Sequence, residues 1–139
     1  MADVEIITLF DLFPELPELI QRAVVKATKK AAFMIQAQAA QNAPVDTGFL
    51  KSSIYVVTKS SSDYGQGASE PPAGAELLPE VEKPESPTIA YIAVGANYGI
   101  YVEMGTRNMP AYPYLMPAAE RVFPEYVAAL RALEDTLEL

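Results

Sequence analysis

The sequence contains no cysteine, no histidine and no tryptophan. These absences remove thiol nucleophiles, disulfide bridges, zinc sites with Cys or His ligands, and imidazole acid–base chemistry. Only carboxylates, hydroxyls, lysine and arginine remain for any reaction. Long apolar runs are missing as well: no stretch of about 18 apolar residues is available to span a bilayer. The opening MADVEIITLF lacks the basic segment that precedes the apolar stretch of a secretory signal. The expectation is a soluble protein made in the cytoplasm, with no membrane partner. Positive charge is scarce, with 10 Lys and Arg against 18 Asp and Glu, a formal net charge of -8. That balance argues against wrapping a phosphate backbone, which relies on Lys and Arg releasing counterions. An acidic surface serves solubility, and it equally suits a wall past which DNA slides without being held.

What is present is enough for one core. Half of the 139 residues are apolar, which fits a single domain over 1–139 and is too little for two comfortable ones. Residues 4–9, VEIITL, are β-branched and apolar and predict a strand, and Asp11, Pro14 and Pro17 then break the pattern. From Glu18 to Gln41 neither Gly nor Pro occurs, and Ile20, Ala23, Val24, Ala27, Ala31, Met34 and Ile35 recur at spacings of three and four. This predicts an amphipathic helix about 36 Å long. Its other face carries Arg22, Lys26, Lys29 and Lys30, a basic stripe that is either a partner-binding face or an ordinary solvated one.

Ser52 to Ser60 and Thr88 to Gly95 predict two further strands. Between them, residues 60–87 collect prolines, glycines and serines, with Asp63, Glu70, Glu76, Glu80, Glu82 and Glu85 against Lys83 alone, a local net of -5. A loop of this length is either a tolerated insertion or functional, as an arm that packs on a neighbouring subunit. Asn97 is placed to cap a short helix over YGIYVEMG, in which Glu103 and Arg107 stand four apart and Gly105 supplies the stop. A final helix is expected from Met116 to Leu137, interrupted near Phe123 because Pro124 follows. The fold class is α+β: a small, largely antiparallel sheet covered by the long N-terminal helix and a C-terminal helix, with a long Pro-rich acidic loop.

Asp46-Thr47-Gly48 spells the active-site triplet of aspartic peptidases. Those enzymes set the Asp at the end of an apolar central strand, so that two carboxylates share a proton. Here Pro44 stands two residues before Asp46, the long helix comes immediately before, and Phe49 takes the place of a small residue. A turn explains the triplet better. Pro44 stops the helix, the Asp46 carboxylate accepts backbone N–H groups in an Asx-turn, and Gly48 gives the freedom for a tight reversal. No phosphate cradle and no carboxylate metal cluster is visible, so neither cofactor nor metal is expected. Tyr91, Tyr98, Tyr101, Tyr112 and Tyr114 crowd one region and are read as core or interface packing.

Two blocks carry a resemblance. The first is APVDTGFLKSSI, with Ala43, Pro44, Asp46, Thr47, Gly48, Leu50, Ser53 and Ile54. The second is YIAVGANYGIYVEMGTRNMPAYPYLMPA, with Tyr98, Tyr101, Val102, Glu103, Gly105, Thr106, Arg107, Pro113, Tyr114, Leu115, Pro117 and Ala118. Together, in this order and behind a helix, they resemble the gene-product-ten family of Hong Kong 97-type tailed bacteriophages, neck or tail-component proteins of the head–tail junction. The resemblance implies a structural virion protein and no enzyme. Its copies would form a homo-oligomeric ring between connector or head-completion proteins and the tail, with DNA passing through without sequence-specific binding. Within that picture Glu103 and Arg107 are expected to brace the second block, either within the subunit or across the ring, and Arg22, Lys26, Lys29, Lys30, Tyr112 and Tyr114 are the interface candidates. Residues 60–87 lie outside the resemblance. Two other readings stay open, a monomeric adaptor for a protein partner and a dimeric peptidase using Asp46.

Overall fold

The computed structural model describes residues 6–9, 18–44 and 48–137. Its elements are β1 (Ile6–Leu9), α1 (Glu18–Asn42), α2 (Phe49–Ser52), β2 (Ile54–Thr58), β3 (Ala90–Val94), α3 (Gly99–Met104) and α4 (Leu115–Leu137). Among the described residues three antiparallel strands form the sheet, in the order β1-β3-β2. The chain is α+β as its pattern predicts, with β2 and β3 shorter than the segments Ser52 to Ser60 and Thr88 to Gly95 expected for them. Asp11, Pro14 and Pro17 lie outside the described residues, as do Asp46 and Thr47 of the first block.

Helix α1 buries Val24, Thr28, Ala31, Ala32, Ile35 and Ala39, spaced so that one stripe faces the sheet. Alanines on this stripe let the helix approach closely, while Ile35 and Ile92, both fully buried, each contribute about 2–3 kcal/mol relative to exposure. The last helical bond runs from Ala43 N–H to Ala39 O at 2.9 Å. Pro44 follows, and proline disfavours helical backbone in the residue before it. Gly48, at φ 73°, opens α2. This single turn has no sequence forecast, because four residues are too few to show a period.

Pairing of Ile54 with Val94, Val56 with Ile92 and Thr58 with Ala90 sets one face of the sheet against α1 and α4. Alternation then puts Tyr55, Val57, Tyr91 and Ala93 on the other face. That second face is also covered. Residues 60–87 contain no helix and no extended strand, yet Tyr64 and Val81 from this segment pack on Tyr55, Val57 and Ala93. The Tyr64 ring meets the Tyr55 ring edge-on at 4.9 Å, Tyr64 Oη donates to Leu78 O, and Val81 N–H donates to Tyr55 Oη at 3.0 Å. At the outer edge of β2, Asp63 N–H donates to Val56 O, Thr58 N–H donates to Ser61 O, and the Asp63 carboxylate accepts Val56 N–H at 2.7 Å. The segment therefore returns across its own sheet. A Cβ on Gly95 would lie 2.5 Å from Leu77 Cδ1 and 3.3 Å from Ser53 O, which shows how closely it is laid down.

Helix α4 runs unbroken through Pro124, against the interruption expected near Phe123. Proline removes its own N–H bond and crowds the carbonyl four residues back. Both Pro124 and Glu120 are on the exposed side of the helix, and a carbonyl that lacks its helical N–H partner costs little there compared with a buried one. The opposite side, Ala118, Val122 and Tyr126, is buried in the main core, and the Thr28 and Tyr126 hydroxyls share a buried hydrogen bond of 2.7 Å. Packing against α1 holds the helix through the proline.

Candidate functional site

The two sequence blocks meet at Ser53. Its hydroxyl donates to Leu50 O at 2.7 Å and accepts Ala96 N–H at 3.0 Å, while Gly95 N–H donates to Ser53 O at 2.9 Å. Phe49 and Leu50 of the first block are buried, and the Phe49 ring lies 6.2 Å from that of Tyr98. Asn97 does not cap α3, for which Tyr98 is the cap residue without a side-chain bond. Its side-chain oxygen accepts Glu76 N–H instead, at 3.2 Å, and its N–H donates to Glu76 O. Asn97 thus ties the acidic segment to the end of β3.

Glu103 organises the second block. The side chain is only 5% exposed. Oε1 accepts the N–H groups of Tyr114 and Leu115, each at 2.9 Å, and Oε2 accepts Met116 N–H at 3.1 Å. A helix leaves its first N–H groups without intrahelical partners and carries partial positive charge at that end. One carboxylate on α3 therefore caps α4. Within the chain Glu103 makes no ion pair with Arg107, which is exposed; the one ion pair among the described residues is Arg22 with Glu18, 2.7 Å apart on the surface of α1.

The cap fixes the path between the helices. Gly105 ends α3 at φ 80°, and a Cβ there would come within 2.8 Å of Ala111 N. Thr106 and Met109 form an isolated bridge, and Tyr112 N–H donates to Val102 O at 2.7 Å. Residues 105–116 are so folded back on α3. Tyr114 is fully buried, with its hydroxyl donating to Gly99 O at 2.9 Å; it belongs to the core and not to the surface expected for it. Tyr112, two residues earlier, is 56% exposed, and with Tyr101, Met104 (72% exposed), Met109 and Met116 it makes a concentration of exposed large apolar side chains. Pro113 and Arg107 are exposed in the same stretch. Exposed large apolar side chains this dense in sequence make residues 101–116 an interface candidate.

A second surface lies on the outer side of α1, where Leu19, Arg22, Lys26, Lys30 and Phe33 are exposed at spacings of three and four. Lys29, half-buried at its margin, donates to Ser60 Oγ at 3.2 Å. Among the described residues no group of three or more His, Cys, Asp or Glu side chains is placed to hold a metal ion. The residues whose titration departs from the ordinary are structural. Burial pushes the Tyr55 phenol up, opposed by the bond from Val81 N–H, and burial pushes Tyr126 up against the hydrogen bond with Thr28. Among the described residues no helix is long and apolar enough to cross a membrane.

Sequence reasoning found the second block but missed the role of Glu103. A cap usually sits within three residues of the helix start, whereas this one is supplied from the preceding helix. The methionines at 104, 109 and 116, interleaved with Tyr101 and Tyr112, were the available signal for the apolar surface. No curated protein and no solved structure matches the chain. The match to a family pattern runs over residues 12–105, from α1 through the Gly105 stop, and leaves Thr106 to Ala118 beyond its end. With most of its length so matched, the chain belongs to the HK97-gp10 family, described as "Bacteriophage HK97-gp10, putative tail-component".

Proposed function

We propose that this protein is a structural component of the phage head–tail junction, where copies form a ring that joins the filled head's connector to the tail and continues the DNA channel. Its work in this reading is assembly and not catalysis, with residues 1–139 acting as one unit. The observation that carries it is the run of exposed large apolar side chains Tyr101, Met104, Met109, Tyr112 and Met116, in a stretch whose path the Glu103 cap fixes. Closed rings need heterologous contacts, in which two different faces of each subunit meet. A further face must then be left for the axial neighbours. The flexible, polarisable methionines suit a surface that repacks against a partner during joining. Membership in a family of tail components supports the virion as its place.

Electron microscopy of particles made with the gene disabled and then complemented tests this. The expected result is DNA-filled heads beside separate tails, with joining restored by the intact gene. Normal tailed particles without the gene would overturn the junction role.

A further inference from the structure

We infer that consecutive copies of the chain meet by opposite charge, the outer stripe of α1 on one copy seating on the acidic 60–87 segment of the next. This rests on the ring reading and names the faces that would meet. Four of the chain's 10 cationic side chains, Arg22, Lys26, Lys29 and Lys30, lie within two and a half turns of α1. Lys26 and Lys30 are exposed, and among the described residues neither has an anionic partner. The 60–87 segment holds six acidic residues against Lys83. Glu70, Glu76, Glu82 and Glu85 are exposed there, and none of them is in an ion pair among the described residues.

Within one copy the two do not pair. Ser60 reaches Lys29, the Asp63 carboxylate accepts the Gln36 amide at 2.9 Å, and Pro87 lines a cleft with Arg22, Lys26 and Lys29, so the ends of the segment flank α1. Its middle turns away, with Val81 packed on Tyr55 across the sheet and Glu82 next in sequence, and no ion pair joins stripe and segment among the described residues. Two copies related by a twofold axis through either face would bring like charges together, which costs rather than gains. A head-to-tail contact places each stripe on the next segment and leaves one stripe and one segment free for further copies, until closure uses both. Leu19 and Phe33, exposed toward the two ends of the stripe, give the contact apolar anchors and a fixed register.

The test uses two charge-reversed chains, one with Lys26→Glu and Lys30→Glu, the other with Glu76→Lys and Glu82→Lys. Sedimentation is measured at about 50 mM and about 500 mM salt, a range over which screening of exposed charges changes strongly. The wild-type chain is expected to form large species at low salt that dissociate at least tenfold more readily at high salt. Each reversed chain alone is expected to stay monomeric. Mixed in equal amounts they should associate again, because the intact stripe of one meets the intact segment of the other and the two reversed faces are themselves of opposite charge. Pairing in the mixture also shows that both chains are folded; if reversal unfolds the chain, Lys26→Gln with Lys30→Gln replaces it and should weaken association in part. A monomeric wild type, a monomeric mixture, or a reversed chain that assembles like the wild type overturns the inference. A duplex oligonucleotide is included, and its retention by the stripe in place of pairing also overturns it. The particle experiment reads the junction role whichever faces meet, so the two failures are distinct.

Discussion

Removing the carboxylate of Glu103 is the most direct way to ask whether one side chain holds the second block together. Glu103→Ala leaves the N–H groups of Tyr114, Leu115 and Met116 without their acceptor, the first two in buried bonds and the third half-buried. A buried donor left unsatisfied costs about 1–3 kcal/mol, and loss of a helix cap alone costs about 0.5–2 kcal/mol. Because the three bonds share one group their effects are not additive, and a total of about 3–5 kcal/mol is expected. For a chain of this size that corresponds to a fall in Tm of roughly 10–20 °C. Glu103→Gln keeps one acceptor oxygen but turns its amide N–H₂ toward Met116 N–H, so about 1.5–3 kcal/mol is expected. Arg107→Ala, which removes an exposed group, should stay within about 0.5 kcal/mol of wild type. Urea and thermal unfolding of the four proteins decide the matter. Glu103→Ala within about 1 kcal/mol of wild type, or Arg107→Ala as costly as Glu103→Ala, would refute the cap as described.

Replacing Met104 and Tyr112 together by serine should leave unfolding unchanged within about 0.5 kcal/mol, since both are exposed, and should lower the yield of joined particles; unchanged yield would remove this surface from assembly. Gly95→Ala should destabilise by about 1–3 kcal/mol through overpacking against Leu77 and Ser53 O. The double variant with Leu77→Ala should show non-additive coupling, and strict additivity in unfolding would speak against that contact. Alkaline titration followed by phenolate absorbance should show Tyr55 and Tyr126 ionising above the ordinary range of a phenol, because burial raises both. An unfolded chain loses these protons first, near pH 10. Their contribution to stability is therefore complete below that pH and lost as pH rises through and above it. Tyr55→Phe combined with Tyr126→Phe should remove this part of the alkaline decline, and an unaltered decline would contradict it.

Helix α1 was legible because its buried positions follow a single period over many turns, and Pro44 marks its end in one residue. The strands were legible as β-branched runs, though not their limits, since pairing and not composition decides where Ile54–Thr58 and Ala90–Val94 begin and end. The cover over the second face was hidden. Tyr64 and Val81 are isolated apolar residues in a polar, Pro-rich segment, and nothing periodic announces that they meet Tyr55. Pro124 misled for a related reason: the local rule is sound, but contacts made by Val122 and Tyr126 on the far side of the helix outweigh it. Tyr112 and Tyr114 show the same limit within three residues. Both are tyrosines between prolines and apolar neighbours, and only the hydroxyl's reach to Gly99 O separates a core residue from a surface one.

The strip of residues 61–63 along the outer edge of β2 bears on how such a chain tolerates crowding. Unpaired backbone at a sheet edge recruits any other strand, with little regard for its side chains, and is a route to aggregation. With Asp63 bonded to Val56 on that edge, copies brought close together on that side have no backbone ladder to extend. Recognition there passes to side chains, which differ from face to face and can be undone one contact at a time. In the proposed ring a misplaced copy could therefore leave and try again, whereas strands once zipped together would lock the error in.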